Sequence, residues 1–534
     1  MTLLSDLIER VAREHPTRCL LSDGDEAVSA AEFLDRVRRV AGGLAAAGIG
    51  AGDRVGFWLP NCSAYLIAHF ACAQLGAVTV SINTRFGISE LEDILERSRC
   101  SALLWWPGFT RADFRSLLRL VVESKRHCLE ILLAVADPLK DASIDEVWCG
   151  LPQLSYQMLA QHEPAVERHD DEVAGCLTFT TSGTTSQPKF VLHTQHSLAR
   201  HAAEVAAAFG WDAPGTVVLQ MLPLCGTFGH AQALAAIGAG AELVSVSSFE
   251  ADEALRLMVG RQVTHAMGVD DMFARLLEAG LCAKRAPAFR FGGFAAFNPA
   301  LRELAVHAAD KGIELRGLWG MSELQALVAC RMAETDPKSR ACAGGQLISS
   351  SARVRVRHPE SGELLAVGDT GELEITAPSQ MAGYLDDEAA TAQSVTDDGF
   401  IRTGDLGHLD ADGGFTYLAR IGDALRLGGF LVDPSEIESI VEQHDDVAKA
   451  QAVGVDTASG TRAFVFVIAA REAVNLDDLK VFCVQRMARY KQPVGIEVID
   501  EFPFTASANG EKIQKTALRQ RAEAVLSASA TTQS

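Results

Sequence analysis

The densest run of reactive side chains in this chain is Leu177-Thr-Phe-Thr-Thr-Ser-Gly-Thr-Thr-Ser-Gln-Pro-Lys-Phe-Val191. An apolar strand leads into a hydroxyl-rich loop with one glycine and a Pro-Lys exit. Such a loop can turn backbone N–H groups and hydroxyls onto phosphate oxygens, with the Lys189 ammonium as a point charge. It is not a Walker-type loop, because no Gly-Lys-Ser/Thr ends it. Taken alone it also fits a purely polar connection.

Further segments come in a fixed order: Gly317-Leu-Trp-Gly-Met-Ser-Glu323, Arg402-Thr-Gly-Asp-Leu406, Arg420-Ile-Gly-Asp423, Arg426-Leu-Gly-Gly-Phe430, Tyr490-Lys-Gln-Pro493 and Asn509-Gly-Glu-Lys-Ile-Gln-Lys515. Together with the loop they resemble the signatures of the adenylate-forming superfamily of acyl-CoA synthetases, peptide-synthetase adenylation domains and luciferases. The resemblance runs from about Leu20 to Arg519. Each motif is weak by itself, and the ordered set is specific.

The resemblance implies that a carboxylate attacks the α-phosphorus of ATP and that the acyl-adenylate passes to a thiol. Charge then builds on the phosphoryl oxygens, so positioning and electrostatic stabilisation dominate. It assigns Thr181, Ser182, Gly183, Thr184, Thr185 and Lys189 to the phosphates, and Trp319, Gly320, Met321, Ser322, Gly428 and Gly429 to the nucleotide. Glu323 would hold Mg²⁺, an oxygen ligand for a hard cation. Asp405 would accept from the ribose hydroxyls, or merely cap a turn. Arg420 would reach the ribose or α-phosphate, or form a surface ion pair. Trp319 offers a face for adenine, with a buried core tryptophan as the alternative. Lys512 would neutralise charge during adenylation, so Lys512, Glu323 and Thr184 are the implied catalytic residues. The cofactors implied are ATP, Mg²⁺ and coenzyme A, and the partner is a small carboxylic acid.

Several positions depart from the family pattern. Gly226 stands where a histidine is usual, which reshapes the acid pocket next to Phe228. Asp270 replaces a proline and reads as a solvated or capping carboxylate, or as a contact for a polar substrate. Gly292, Gly293 and Phe294 fall on the pocket wall. Ser186 replaces the second loop glycine. Gly422 replaces the side chain of the usual hinge residue, keeping rotation but losing a latch. Glu511 intervenes before Lys512, and Thr505 lies seven residues before it rather than four. A carrier-protein thiol as acceptor, or a non-catalytic adenylate-binding homologue, are the competing readings.

The elements that must position these residues are those of a large protein. The 534 residues exceed what one core serves. Helical Ala/Leu stretches alternate with β-branched runs, which predicts an α/β fold: a large N-terminal domain of stacked α/β sheets, a β-rich subdomain after Val354, and a small mobile α+β C-terminal domain. The boundary is expected at residue 420, giving domains 1–420 and 421–534. The tail from Leu526, rich in Ser, Thr and Ala, reads as disordered. Forty-eight Lys and Arg against sixty-nine Asp and Glu leave a net charge of −21, which excludes a general nucleic-acid binder. No stretch reads as a membrane span, since Leu66–Ile82 contains His69, Gln74 and Gly76 and reads as a buried helix running into a strand. The twelve scattered cysteines read as buried reduced thiols of a cytoplasmic protein.

Overall fold

The computed structural model describes residues 3–109, 113–135, 145–180, 188–298, 301–421, 425–427, 430–432, 434–457, 460–471, 473–487, 489–507 and 510–531. Contacts divide the chain into two units. The first comprises Met1–Ala295, Glu303–Arg353 and Ile375–Ile401, and the second Ala296–Arg302, Val354–Glu374 and Arg402–Ser534. This division differs from a single cut at residue 420. The β-rich segment hydrogen-bonds within itself, as where the Thr403 hydroxyl donates to Leu373 O at 2.6 Å, so 402–420 groups with the C-terminal part of the chain.

The first unit is the predicted layered α/β structure. One of its sheets runs from Gly383–Tyr384 through Phe190–Thr194, Gly175–Thr180, Val78–Ser81 and Arg54–Trp58 to Ala102–Trp105 and beyond. Its inner strands are parallel, with Val55 beside both Thr79 and Ala102, and are buried along nearly their whole length, as strands covered on both faces are. The second carries Gln325–Cys330, Leu315–Met321, Phe291–Ala295, His265–Val269, Val217–Gln220 and Glu242–Ser245 in neighbouring order. Helices Ser63–Leu75, Gln195–Phe209 and Thr227–Ala239 pack against these strands. Thr227–Ala239 is buried along nearly its entire length, so its sequence is apolar all round rather than amphipathic. Gln195–Phe209 starts where Thr194 Oγ1 accepts from Ser197 N at 3.1 Å.

The second unit has two cores of its own, one around Leu427, Ile437, Val441, Val465 and Leu479, the other around Val453, Phe464, Phe466 and Phe502. Strands Val447–Thr457, Gly460–Ala469 and Gly495–Val498 form its three-stranded sheet. The described part of the tail corrects the expectation of disorder: helix Lys515–Thr531 continues past Leu526 as far as Thr531. Alanines at 522, 524, 528 and 530, the strongest helix formers, outweigh the serines between them.

Cysteine usage is also more mixed than expected. Seven cysteines are buried, but Cys128, Cys149 and Cys342 are exposed, and all twelve are free. Among the described residues no helix is long and apolar enough to cross a membrane.

Candidate active site

Strand Leu315–Met321 ends in a single turn of 3₁₀ helix, Ser322–Leu324, and Gln325–Cys330 returns antiparallel to it. The reversal is tight. Gln325 sits at φ 62°, ψ 170°, and Leu327 at φ 65°, conformations that side chains other than glycine rarely adopt. Such backbone persists only when its surroundings over-determine it, and here they do. Gln325 Nε2 donates to Ser197 O at 3.1 Å and Ser379 O at 3.2 Å. His193 Nε2 donates to Ser322 O at 2.8 Å, and His201 Nε2 to Ala326 O at 2.5 Å. Met381 N donates to Glu323 O at 2.8 Å. Burial pushes the pKa of both histidines down to about 4, so each is a neutral ring donating a fixed proton.

The turn projects one carboxylate. Glu323 Oε1 accepts from the Tyr384 hydroxyl at 2.8 Å, and Glu323 is half-buried. Its second oxygen has no protein partner among the described residues. Below the same ring lies a cation, with Lys189 Nζ 4.5 Å from the Tyr384 ring centroid. The register explains this meeting of distant residues. Val191 pairs with Tyr384 across an antiparallel ladder, and Leu385 N donates to Phe190 O at 2.8 Å. The exit of the hydroxyl-rich loop is thereby pinned to the Gly-Tyr dipeptide.

These groups fit a hard divalent cation. Among the described residues no cluster of three or more His, Cys, Asp or Glu could hold a metal by itself. A single carboxylate with one oxygen unengaged suits Mg²⁺, which keeps its waters and takes its remaining ligands from phosphates.

The second unit supplies another polar pair. Strands Ile401–Leu409 and Phe415–Arg420 place Asp405 opposite Arg420. Arg420 Nη1 donates to Asp405 Oδ1 and to Thr403 O, both at 2.6 Å. Asp405 is buried while half of the Arg420 side chain is exposed. Asp405 is thus a strand residue in a salt bridge rather than a turn cap. Beside them Gly404 N donates to Glu372 Oε1 at 3.2 Å, and desolvation raises the pKa of that carboxyl.

The remaining expected residues divide clearly. Gly226 and Phe228 are buried at the N-terminus of helix Thr227–Ala239, which Gly226 caps. Asp270 is not solvated: it is 2 % exposed, opens helix Asp270–Glu278, and accepts from Asp271 N at 2.9 Å. Gly293 is a packing requirement, since an added Cβ would stand 2.4 Å from Met267 Sδ and 2.6 Å from Leu318 Cδ1. Gly292 and Phe294 are buried on the same strand. Trp319 is 5 % exposed, with Gly320, Met321 and Ser322 following it into the turn. Thr181, Ser182, Gly183, Thr184 and Thr185 lie outside the described residues, as do Ser186, Gly422, Gly428 and Gly429. Lys512 lies on strand Gly510–Ile513, paired with Thr505, and its side chain is outside the description.

Sequence reading missed Tyr384 and the two histidines. Met381-Ala-Gly-Tyr384, closely followed by an Asp387 N-cap, was the available signal for the tyrosine. The histidines had none, because their acceptors are carbonyls more than a hundred residues away.

Residues 8–385 match the family described as AMP-binding enzyme, and residues 436–509 match the AMP-binding enzyme C-terminal domain. The chain is 30% identical over 525 residues to a feruloyl-CoA synthase of an Amycolatopsis species, covering 96% of this chain and 97% of that protein. It is 28% identical over 496 residues to a 2-succinylbenzoate–CoA ligase of Bacillus licheniformis, covering 92% and 95%. In fold it is similar to ATP-bound MatB from Rhodopseudomonas palustris, with a TM-score of 0.83 at 23% identity over 98% of this chain and 99% of that one.

Proposed function

This chain belongs to the AMP-binding enzymes, and from that membership we propose that it joins a carboxylic acid to coenzyme A through an acyl-adenylate. The observation that carries the reading is the Glu323 carboxylate on an over-determined turn, with Lys189 on the ring that also bonds Glu323. An anion able to take Mg²⁺ and a cation able to take phosphate are thereby fixed to one scaffold. The names of its relatives, which are CoA ligases, support coenzyme A as the thiol over a carrier protein.

In the first step a carboxylate oxygen forms a bond to the α-phosphorus and the bond to the bridging oxygen breaks. Pyrophosphate leaves with the electron pair. Lys189 and the loop from Thr181 to Thr185 hold the phosphates, with Thr184 among the groups facing the reacting phosphorus. Glu323 would hold Mg²⁺, which would supply neutralisation of phosphate charge. Asp405 and Arg420 orient the ribose, with Gly428 and Gly429 at the junction. Lys512 stabilises charge on the carboxylate oxygen and α-phosphate. In the second step the thiol sulfur attacks the acyl carbon, AMP departs, and the thiol proton passes to solvent.

Residues 1–420 serve as the domain for ATP and acid, and residues 421–534 as a mobile domain delivering Lys512. The separate cores around Leu427 and Phe466 support the second as a body of its own. The acid lies against Gly226, Phe228, Asp270, Gly292, Gly293 and Phe294. Exposed free thiols at Cys128, Cys149 and Cys342 fit a reducing cytoplasm.

A pyrophosphate-release screen over aliphatic, aromatic and amino-bearing acids tests the reading. Release with an acid, and product formation only when coenzyme A is added, is the expected result. Transfer to a phosphopantetheinylated carrier protein but not to coenzyme A would replace the proposed acceptor.

A further inference from the structure

Tyr384 touches both charged groups of the candidate site and has no part in the roles assigned above. Its hydroxyl donates to Glu323 Oε1 at 2.8 Å, and its ring faces Lys189 Nζ at 4.5 Å. The hydroxyl is itself supported, because Ser394 Oγ donates to it at 3.3 Å. A short helix, Glu388–Ser394, fixes the residue. Asp387 Oδ1 accepts from Ala390 N at 2.9 Å, and Thr391 Oγ1 accepts from Tyr384 N at 2.8 Å. Tyr384 is 8 % exposed, so water competes little for its hydroxyl.

We propose that Tyr384 is a positioning residue that orients Glu323 toward Mg²⁺ and Lys189 toward phosphate, coupling the two from one ring. The inference rests on Glu323 being the Mg²⁺ ligand. A carboxylate with one oxygen held by a hydroxyl presents the other at a fixed angle, and loss of such a supporting bond typically weakens metal affinity about 10- to 100-fold. An ammonium over an aromatic face is held by the ring quadrupole, which confines its direction without neutralising its charge.

The two functions separate by substitution. Tyr384→Phe removes the bond to Glu323 and keeps the ring under Lys189, whereas Tyr384→Leu removes both. ATP binding is measured by equilibrium calorimetry with and without Mg²⁺, alongside Mg²⁺ titration of pyrophosphate release. Tyr384→Phe should bind ATP alone like the wild type and lose about 10- to 100-fold of the Mg²⁺-dependent gain. Tyr384→Leu should in addition bind Mg²⁺-free ATP about threefold more weakly.

Glu323→Gln should abolish the gain, and adding Tyr384→Phe to it should change nothing further. A Tyr384→Phe enzyme that keeps the full Mg²⁺ gain while Glu323→Gln loses it overturns the proposal and leaves the metal assignment standing. Additive losses in the double variant also overturn it, since Tyr384 would then act independently of Glu323. An unaltered Mg²⁺ gain in Glu323→Gln removes the metal assignment and the proposal with it. Should the Tyr384 variants fail to fold, Ser394→Ala still decides. A loss of a few-fold in the Mg²⁺ gain supports the proposal, and no change overturns it.

Discussion

The turn that carries Glu323 and the hairpin that carries Lys512 are built by opposite means. Around Glu323, two buried histidines, a buried glutamine and the Met381 amide hold the backbone of one turn, part of which is left-handed at non-glycine residues. Among the described residues Lys512 sits on a four-residue strand paired only with Phe504–Ser507, and Phe504 is half exposed. A metal carboxylate gains from rigidity, because its geometry must be ready before the phosphates arrive. A lysine needed for only one of two steps gains from a short element that can be delivered and withdrawn. The contrast teaches that the two charges of the proposed mechanism answer to different stability requirements, and each can be perturbed alone.

Acid is the harshest way to break the comparison. Desolvation lowers the pKa of His69 to about 3 and of His193 and His201 to about 4, and it puts His230 well below the ordinary value. The unfolded chain binds a proton at each near pH 6.5, whereas the folded chain does not until near pH 3 to 4. Their contribution is therefore complete above pH 6.5 and is lost as pH falls below it. At pH 5 each of these three histidines costs about 2 kcal/mol. All four lie in the first unit, where Glu204 is the carboxylate acting on His201. In the second unit His408 and His444 each have a carboxylate beside the ring, Asp410 at 3.4 Å and Asp478 at 3.2 Å. All six tryptophans lie in the first unit as well, so their fluorescence reports it alone. Tryptophan emission should change between pH 6.5 and 4 before hydrogen exchange rises in Val447–Ala469. The reverse order would place the acid-labile cluster in the wrong unit.

Lys512→Ala comes next in size. Removing a donor aimed at developing charge typically costs about a hundredfold or more. Pyrophosphate release should fall by that factor with an unchanged unfolding midpoint, while coenzyme A transfer from a prepared acyl-adenylate is spared. Lys515→Ala, the control for lost positive charge, should do little. A larger effect from Lys515 would mean that Glu511 shifts the functional position by three residues.

Legibility in the sequence tracks the range of each interaction. Helix Ser63–Leu75 and strand Val78–Ser81 were legible in Leu66–Ile82 because their signal is local composition. The order of motifs pointed to Glu323 and Asp405, and the hydroxyl-rich loop to Lys189. The use of Tyr384 was illegible, since it depends on a ladder joining Val191 to a residue far along the chain. The packing demand at Gly292 and Gly293, where a side chain would collide with Leu315 or Met267, was illegible because those partners lie on neighbouring strands. The seven-residue separation of Thr505 from Lys512 reads as a departure from the family spacing, and in the fold the two residues are a direct cross-strand pair.

Gln325→Ala sharpens the comparison from the rigid side. It leaves the carbonyls of Ser197 and Ser379 without this donor in a buried setting, at a cost of about 2 kcal/mol. The alanine must still hold φ near 62°, so the strain remains while its restraint is gone. The unfolding midpoint should fall and the Mg²⁺ requirement for pyrophosphate release should rise. A loss of stability with an unchanged Mg²⁺ requirement would show that Glu323 keeps its aim without the bolt.

Gly404→Ala has the smallest expected effect and asks how the second unit meets the same demand. Between Thr403 and Asp405 the chain passes through φ 68°, and here the residue is glycine, so the conformation is nearly free of strain. An added Cβ would find Arg420 Nη1 at 3.6 Å, an ordinary contact, so the cost is conformational rather than steric. Alanine in the left-handed region costs about 1 kcal/mol, a midpoint shift of roughly 2–4 °C for a unit of this size. The Asp405–Arg420 salt bridge should survive, because both partners lie on paired strands and Thr403 O holds the guanidinium from the other side. ATP affinity should then change less than about threefold, a difference of roughly 0.6 kcal/mol. A hundredfold loss would mean that Asp405 is aimed by the glycine itself. The second unit would then depend on one backbone angle as closely as the first depends on Gln325, and the contrast between a braced turn and an unstrained one would fail.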